Sequence, residues 1–292
     1  KNTKSLTVDA FGAANSGAAL GDVIQDMGVV GSTGYICVNN SARVQVVSLP
    51  SFKAVTTLRT PQPRYFAASA TRGYVTAWRG SYTGYQAGTV LVIDLSKNTI
   101  IDSVKVGTNP ERPAISGNLL YVPNSYDSTI SVIDLGTNKV TSTVTVAPGP
   151  QTVVVDNSGN LWARCSRPYG STATPAATLV RFAPGSTTPQ LTLPFATSSS
   201  GHLAISPDRQ TLYYNYAGAE YSLPITATAL ATTPFIRRSF NGFAIDPRDN
   251  TVFGAVSTGY STNGYFLHYA AGGGTRLDSV GVRVGPNGFA FY

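Results

Sequence analysis

"LVIDLSKNTI" (residues 91–100) and "SVIDLGTNKV" (residues 131–140) are the two stretches that decide the fold of this chain. Each is an alternating apolar run that ends in Asp, passes through a short turn carrying Asn, and resumes as a second run. Such alternation over a few residues, bounded by turn formers, marks a β-strand. The two copies lie about forty residues apart, and that interval recurs along the chain. Aligning on the aromatic that follows each tight turn picks out Tyr35, Tyr74, Tyr121, Trp162, Tyr213 and Phe253. Each unit reads as four strands: one like "HLAIS", one like "TLYYNY", one like "ISVIDL" and one like "KVTSTVTV". Four antiparallel strands per repeat describe a propeller blade.

Six complete units span residues 22–282. "NGFAFY" (287–292) reads as the first strand of another unit, and "SLTVDAF" (5–11) as a strand without a blade of its own. The expectation is therefore an all-β, seven-bladed β-propeller forming one domain over residues 1–292. Its four-stranded antiparallel blades would include a seventh split between the N- and C-termini and one or two strands short. Pairing the first and last strands would close the ring and remove a free sheet edge.

Composition agrees with short strands and many turns. Only 12% of the 292 residues are charged, while there are 29 Gly, 18 Pro and 16 Tyr. No apolar run has the length of a membrane span. The chain opens on a polar stretch, so a cytoplasmic protein or a trimmed, exported one is expected. Cys37 and Cys165 each lie inside a strand-like run and read as buried free thiols. The net charge of +7 has no block of like charge behind it.

The loops fall into two chemical classes. At one end of the ring stand "SPDRQ", "DPRDN", "DNSGN", "LSKN" and "LGTN", which turn chemistry explains. At the other end the loops hold Trp78, Tyr82, Tyr85, Tyr126, Tyr169, Tyr216 and Tyr260, with arginines that include Arg79 and Arg167. Exposed Tyr, Trp and Arg are the residues that carry binding energy at recognition surfaces. Aligning the first strands adds a second set where each blade enters the channel: Gln25 and Asp26, Arg64 and Tyr65, Glu111 and Arg112, Gln151, His202, Asn241 and Asn287. These are expected to ring the channel mouth, either as a ligand site or as a polar plug bonded to itself and to water.

Catalytic chemistry is sparse. His268 sits mid-strand, and His202 is the single acid–base candidate, with Asp26 as its nearest carboxylate by position, three blades away. No cluster has metal-ligand spacing, and no nucleophile or phosphate-loop motif occurs. No cofactor and no enzymatic activity are expected. A propeller lyase or hydrolase is disfavoured, because lyases of the streptogramin type usually place His and Glu centrally and this ring holds one of each. A single-stranded nucleic-acid or peptide binder is the alternative, since Tyr and Arg are interleaved; the modest charge excess argues against nucleic acid.

The run "LYVPNSYDSTISVIDLGTNKVTSTVTVAPGPQTVVVD" resembles the YVTN-type repeat of YncE-like seven-bladed propellers. "VDAFGAANSGAALGDVIQDMGVVGSTGYICVNNSARVQVVSL", "PQPRYFAAS" and "GPNGFAFY" are similar to the Bacteroidetes branch of that group. The resemblance covers essentially the whole chain. It implies an exported protein at the outer-membrane surface or in the periplasm, its signal and any lipid anchor removed. It also implies a monomer that captures a corrinoid such as cobalamin and works beside a TonB-dependent outer-membrane transporter. On that reading Arg64, Arg79, Arg112 and Arg167 meet phosphate and amide oxygens of the ligand, and Gln25, Gln151, Asn241 and Asn287 meet its amide arms.

Overall fold

A computed structural model describes residues 6–81, 84–168, 171–197, 201–259 and 261–292. Its strands form six antiparallel sheets in chain order. The first holds β1 (Ile24–Val30), β2 (Thr33–Val38), β3 (Arg43–Ser48) and β4 (Ala54–Arg59); the second holds β5 (Pro63–Ala68), β6 (Arg72–Ser81), β7 (Gly84–Asp94) and β8 (Thr99–Thr108). The third comprises β9 (Ala114–Ser116), β10 (Leu119–Asn124), β11 (Thr129–Asp134) and β12 (Lys139–Thr145), and the fourth β13 (Pro150–Val155), β14 (Leu161–Ser166), β15 (Ala177–Phe182) and β16 (Pro189–Pro194). The fifth has β17 (Leu203–Ile205), β18 (Thr211–Tyr216) and β19 (Ala219–Pro224), and the sixth β20 (Gly242–Ile245), β21 (Val252–Val256), β22 (Asn263–Tyr269) and β23 (Arg276–Val284). Neighbouring strands are joined by hairpins, and β1, β5, β9, β13, β17 and β20 line a central channel.

The repeated phrase owes its form to its Asp. Asp134 Oδ1 accepts from the Thr137 backbone N–H at 2.8 Å and from its hydroxyl at 3.0 Å; Asp94 Oδ1 accepts likewise from Ser96 and from the Lys97 N–H. Asn98 and Asn138 close these turns with φ of 53° and 54°, a left-handed conformation that Asn tolerates. Each turn is then tied to the preceding blade. The Tyr35 hydroxyl donates to Asn98 Oδ1 at 2.5 Å, and Arg72 donates to the Leu135 carbonyl and to Asn138 Oδ1. Between the sheets, apolar residues of one blade pack on the next, as Tyr35, Val44 and Val46 do on Val75, Leu91 and Ile93. Cys37 in β2 and Cys165 in β14 are buried free thiols.

Three expectations are corrected. The described residues form six blades, not seven. "SLTVDAF" forms no strand over its described residues: Asp9, at φ 55°, caps a short helix, α1 (Ala10–Ala14), by accepting the Gly12 N–H. That helix drives Phe11 into the core against Ile36, Val38, Val47 and Leu49 of the first blade. "NGFAFY" is not a strand either. Its alternating aromatics pack instead of pairing, with Phe289 and Phe291 set against Phe253 at ring distances of 5.6 and 5.5 Å. The backbone of this tail lies so close to β20 that a Cβ on Gly242 would collide with the Asn287 carbonyl.

The fifth sheet has three strands rather than four. After β19 the chain crosses to the sixth blade, held by mutual backbone bonds between Glu220 and Ile236 and by burial of Ile236 and Phe240 in the sixth core. Pro234 and the Ala/Thr-rich run before it offer no alternating face to form an outer strand.

Candidate functional site

The channel mouth is built from the starts of the inner strands. Gln25 and Asp26, Arg64 and Tyr65, Glu111 and Arg112, Gln151, His202, Asn241 and Asn287 all line one cavity of about 850 Å³. They converge because each stands at the point where the chain turns from an upper loop into an inner strand, a position the repeat places identically in every blade. The tail supplies Asn287 beside the sixth blade.

On the side of the first three blades these residues form one network. Arg64 Nη2 donates to both oxygens of Glu111, at 3.0 and 3.1 Å, and Nη1 donates to Gln25 Oε1 at 2.7 Å. Gln25 Nε2 donates to the Tyr65 hydroxyl at 3.0 Å. Arg112 Nη2 donates to Asp26 Oδ1 at 3.0 Å, while the other Asp26 oxygen accepts the Phe66 N–H. Flat guanidinium groups cover the aromatic faces: Arg64 lies 4.0 Å from the Trp78 ring centroid and Arg112 4.4 Å from that of Tyr65. Burial, aided by Glu111, pushes the Tyr65 hydroxyl up to about 12. Burial also raises the Glu111 carboxyl, against the pull of Arg64. For Arg112, burial pushes down, but Asp26, Tyr65 and Glu111 outweigh it and hold the guanidinium above its ordinary value.

Across the channel the sequence reading of His202 is corrected. Its carboxylate partner is Glu220 of β19, in its own blade, at 2.8 Å from Nε2; Asp26 instead holds Arg112. Glu220 is wholly buried, and its second oxygen accepts the Phe240 N–H. The imidazole is also fixed by face, stacked on Phe243 at 4.8 Å and 8°. Glu220 stands at the start of β19, outside the first-strand alignment, which could not show that β19 turns it inward. Arg164 is completely buried on β14, its guanidinium 4.8 Å from the Phe195 ring. Burial pulls it down to about 10, with Glu220 opposing.

The outer loop residues divide. Trp78 is half-buried, its indole N–H donating to the Pro110 carbonyl at 3.2 Å, and Tyr85 packs edge-on against both Trp78 and Tyr126. Tyr126 remains 51% exposed above the mouth. Arg79 and Arg167 bond to loop carbonyls, those of Pro61 and Trp78 and that of Ala173. Tyr216 packs, partly buried, against Phe195 and the core shared by the fourth and fifth blades. Tyr82, Tyr169 and Tyr260 lie outside the described residues. Among the described residues, no group of three or more His, Cys, Asp or Glu is placed to hold a metal, and no helix is long and apolar enough to cross a membrane.

No family model matches the chain, and the comparison with curated proteins finds no match. Among solved structures, a chain of Kuenenia stuttgartiensis hydrazine synthase aligns with a TM-score of 0.71 over 91% of this chain and 88% of that one, at 17% identity. At that identity the likeness is one of fold. This chain is a β-propeller.

Proposed function

We propose that the protein is a non-catalytic propeller that captures a sizeable small molecule at its channel mouth. The observation that carries this reading is convergence. Every blade and the tail deliver a polar side chain into one concave space of about 850 Å³, within the span of roughly 300–1,000 Å³ usual for small-molecule sites. Aromatic loops stand above it, led by Tyr85 and the exposed Tyr126. The ligand class proposed is a corrinoid such as cobalamin, on the strength of the YncE-like resemblance. Its broad amphipathic ring would rest its amide arms in the mouth and its apolar edge on the tyrosines. The place of action proposed with it is the outer-membrane surface or periplasm, with hand-over to a TonB-dependent transporter.

Titration with cyanocobalamin, followed by heat and by the visible absorption band, tests the reading. Binding with a Kd below about 50 μM is expected. A folded protein that gives neither signal at that concentration removes the corrinoid.

A further inference from the structure

Among the described residues, the arginines and acids that line the channel mouth balance, although the protein as a whole is at +7. The arginines lining the cavity are Arg64 and Arg112, and the acids lining it are Asp26 and Glu111. Each arginine is already committed to one of those acids at 3.0 Å, Arg64 through Nη2, which bonds both Glu111 oxygens while Nη1 is taken by Gln25. Glu111 is only 9% exposed, so drawing Arg64 away toward an incoming anion would strand a buried carboxylate. The cationic faces that could have met a phosphate are laid over Trp78 and Tyr65 instead. On the opposite wall His202 is held by the buried Glu220 carboxylate at 2.8 Å, its Nε2 taken up by that contact. The other loop arginines are absent from the cavity lining.

What the lining leaves uncommitted is amide. Among the described residues, no hydrogen bond involves the side chains of Gln151 or Asn287, and Asn241 uses only its Oδ1, accepting the Ser257 N–H. A carboxamide both donates and accepts, and its natural complements are neutral groups that do the same. From this charge balance and these free amides we infer that the site selects a neutral ligand rich in carboxamide or hydroxyl groups and excludes anions. This rests on the binding role proposed above. It departs from the expectation that Arg64 and Arg112 would meet a ligand phosphate.

The test uses three probes on the whole chain at 50 and 300 mM NaCl: cyanocobalamin for carboxamides, maltoheptaose for hydroxyls and inositol hexakisphosphate as a dense anion. One neutral probe should bind with a Kd that changes by less than about twofold between the two salts. Inositol hexakisphosphate in excess should not displace it. Which neutral probe binds assigns the amide or the hydroxyl source. Gln151→Ala with Asn287→Ala should weaken that probe by about fivefold or more at unchanged Tm. The Asp26→Asn, Glu111→Gln double variant uncovers both arginines and should gain salt-sensitive affinity for the hexakisphosphate, by at least about tenfold over wild type. Displacement of the neutral probe by the anion from wild type, or equal anion affinity in wild type and double variant, overturns the inference while leaving a binding site in place. If no probe binds the folded wild-type protein, the binding role itself falls and the inference falls with it.

Discussion

His202 and Glu220 meet at 2.8 Å inside the fifth blade, the imidazole at the channel wall and the carboxylate with none of its surface exposed. They stand eighteen positions apart in the chain, across the β17–β18 and β18–β19 hairpins. The pair is as much a structural clamp as a surface feature, because Glu220 also accepts the Phe240 N–H where the chain crosses into the sixth blade. His202→Ala leaves the carboxylate buried without its partner and should lower unfolding stability by about 3 kcal/mol. Glu220→Gln keeps an acceptor for Phe240 and should cost clearly less. Urea unfolding of both variants checks the order; equal losses would show that the stranded carboxylate is not what makes the first substitution costly.

Trp78 links the second and third blades through its indole bond to Pro110 and offers its face to Arg64. Trp78→Phe should lose that hydrogen bond, a cost of about 1 kcal/mol. Trp78→Ala also opens a cavity and should cost about 3 kcal/mol. Differential scanning calorimetry measures both. A negligible effect for the Ala variant would mean that the loop does not brace the blades.

The turns give the fold an acid-sensitive part. Asp94 is held below its ordinary value first by the Ser96 hydroxyl, Asp134 first by the Thr137 N–H, and Asp208 first by the Ser206 hydroxyl. A lowered carboxyl contributes stability that is present above its unfolded value, 3.8 here, and is lost as pH falls through the folded one. Tm should therefore drop as pH is taken below that range, and Asp94→Asn, Asp134→Asn and Asp208→Asn together should flatten the drop. Glu111 has the opposite sign. Its raised carboxyl favours the fold most at low pH and loses that contribution as pH rises through the folded value, so Glu111→Gln should remove a slope of opposite direction. Tm measured across pH 2–7 separates the two (pH values chosen to bracket the roughly 3.9–4.3 range of ordinary carboxyls).

Phe253 anchors the tail through Phe289 and Phe291 and stacks on His268 at 4.2 Å. Phe253→Ala should cost about 3 kcal/mol and free residues 287–292 to carboxypeptidase, while the first five blades resist. Mass spectrometry after brief digestion reads the outcome; an intact tail would place the anchor elsewhere.

Much of this was legible from the sequence because the repeat is local. The Asp-to-Asn turns at residues 94–98 and 134–138 write their own hydrogen bonds, and the inner-strand alignment brought ten residues to one channel without a structure. The missed parts depend on what lies alongside. Nothing local distinguishes an alternating "GFAFY" that pairs from one that only packs, since both set every second residue, Phe289 and Phe291, against the blade. Asp9 before "AFGAA" was a legible helix cap, passed over in favour of strand-like alternation. Glu220 and Arg164 fall outside the first-strand alignment, and a charged side chain is rarely fully buried; each is buried because the other, and His202 or Phe195, stands close by.

The two thiols give this ring a pair of clocks. Cys37 is buried in the first blade and Cys165 in the fourth, and burial pushes both thiols up, that of Cys165 to about 12. Neither can meet a water-soluble alkylating reagent while its blade is shut, so each labels only as often as its own blade opens. Peptide-resolved labelling rates would time the two sides of the propeller separately in one unmodified molecule. A bound ligand that braces the mouth across the channel would slow both clocks together.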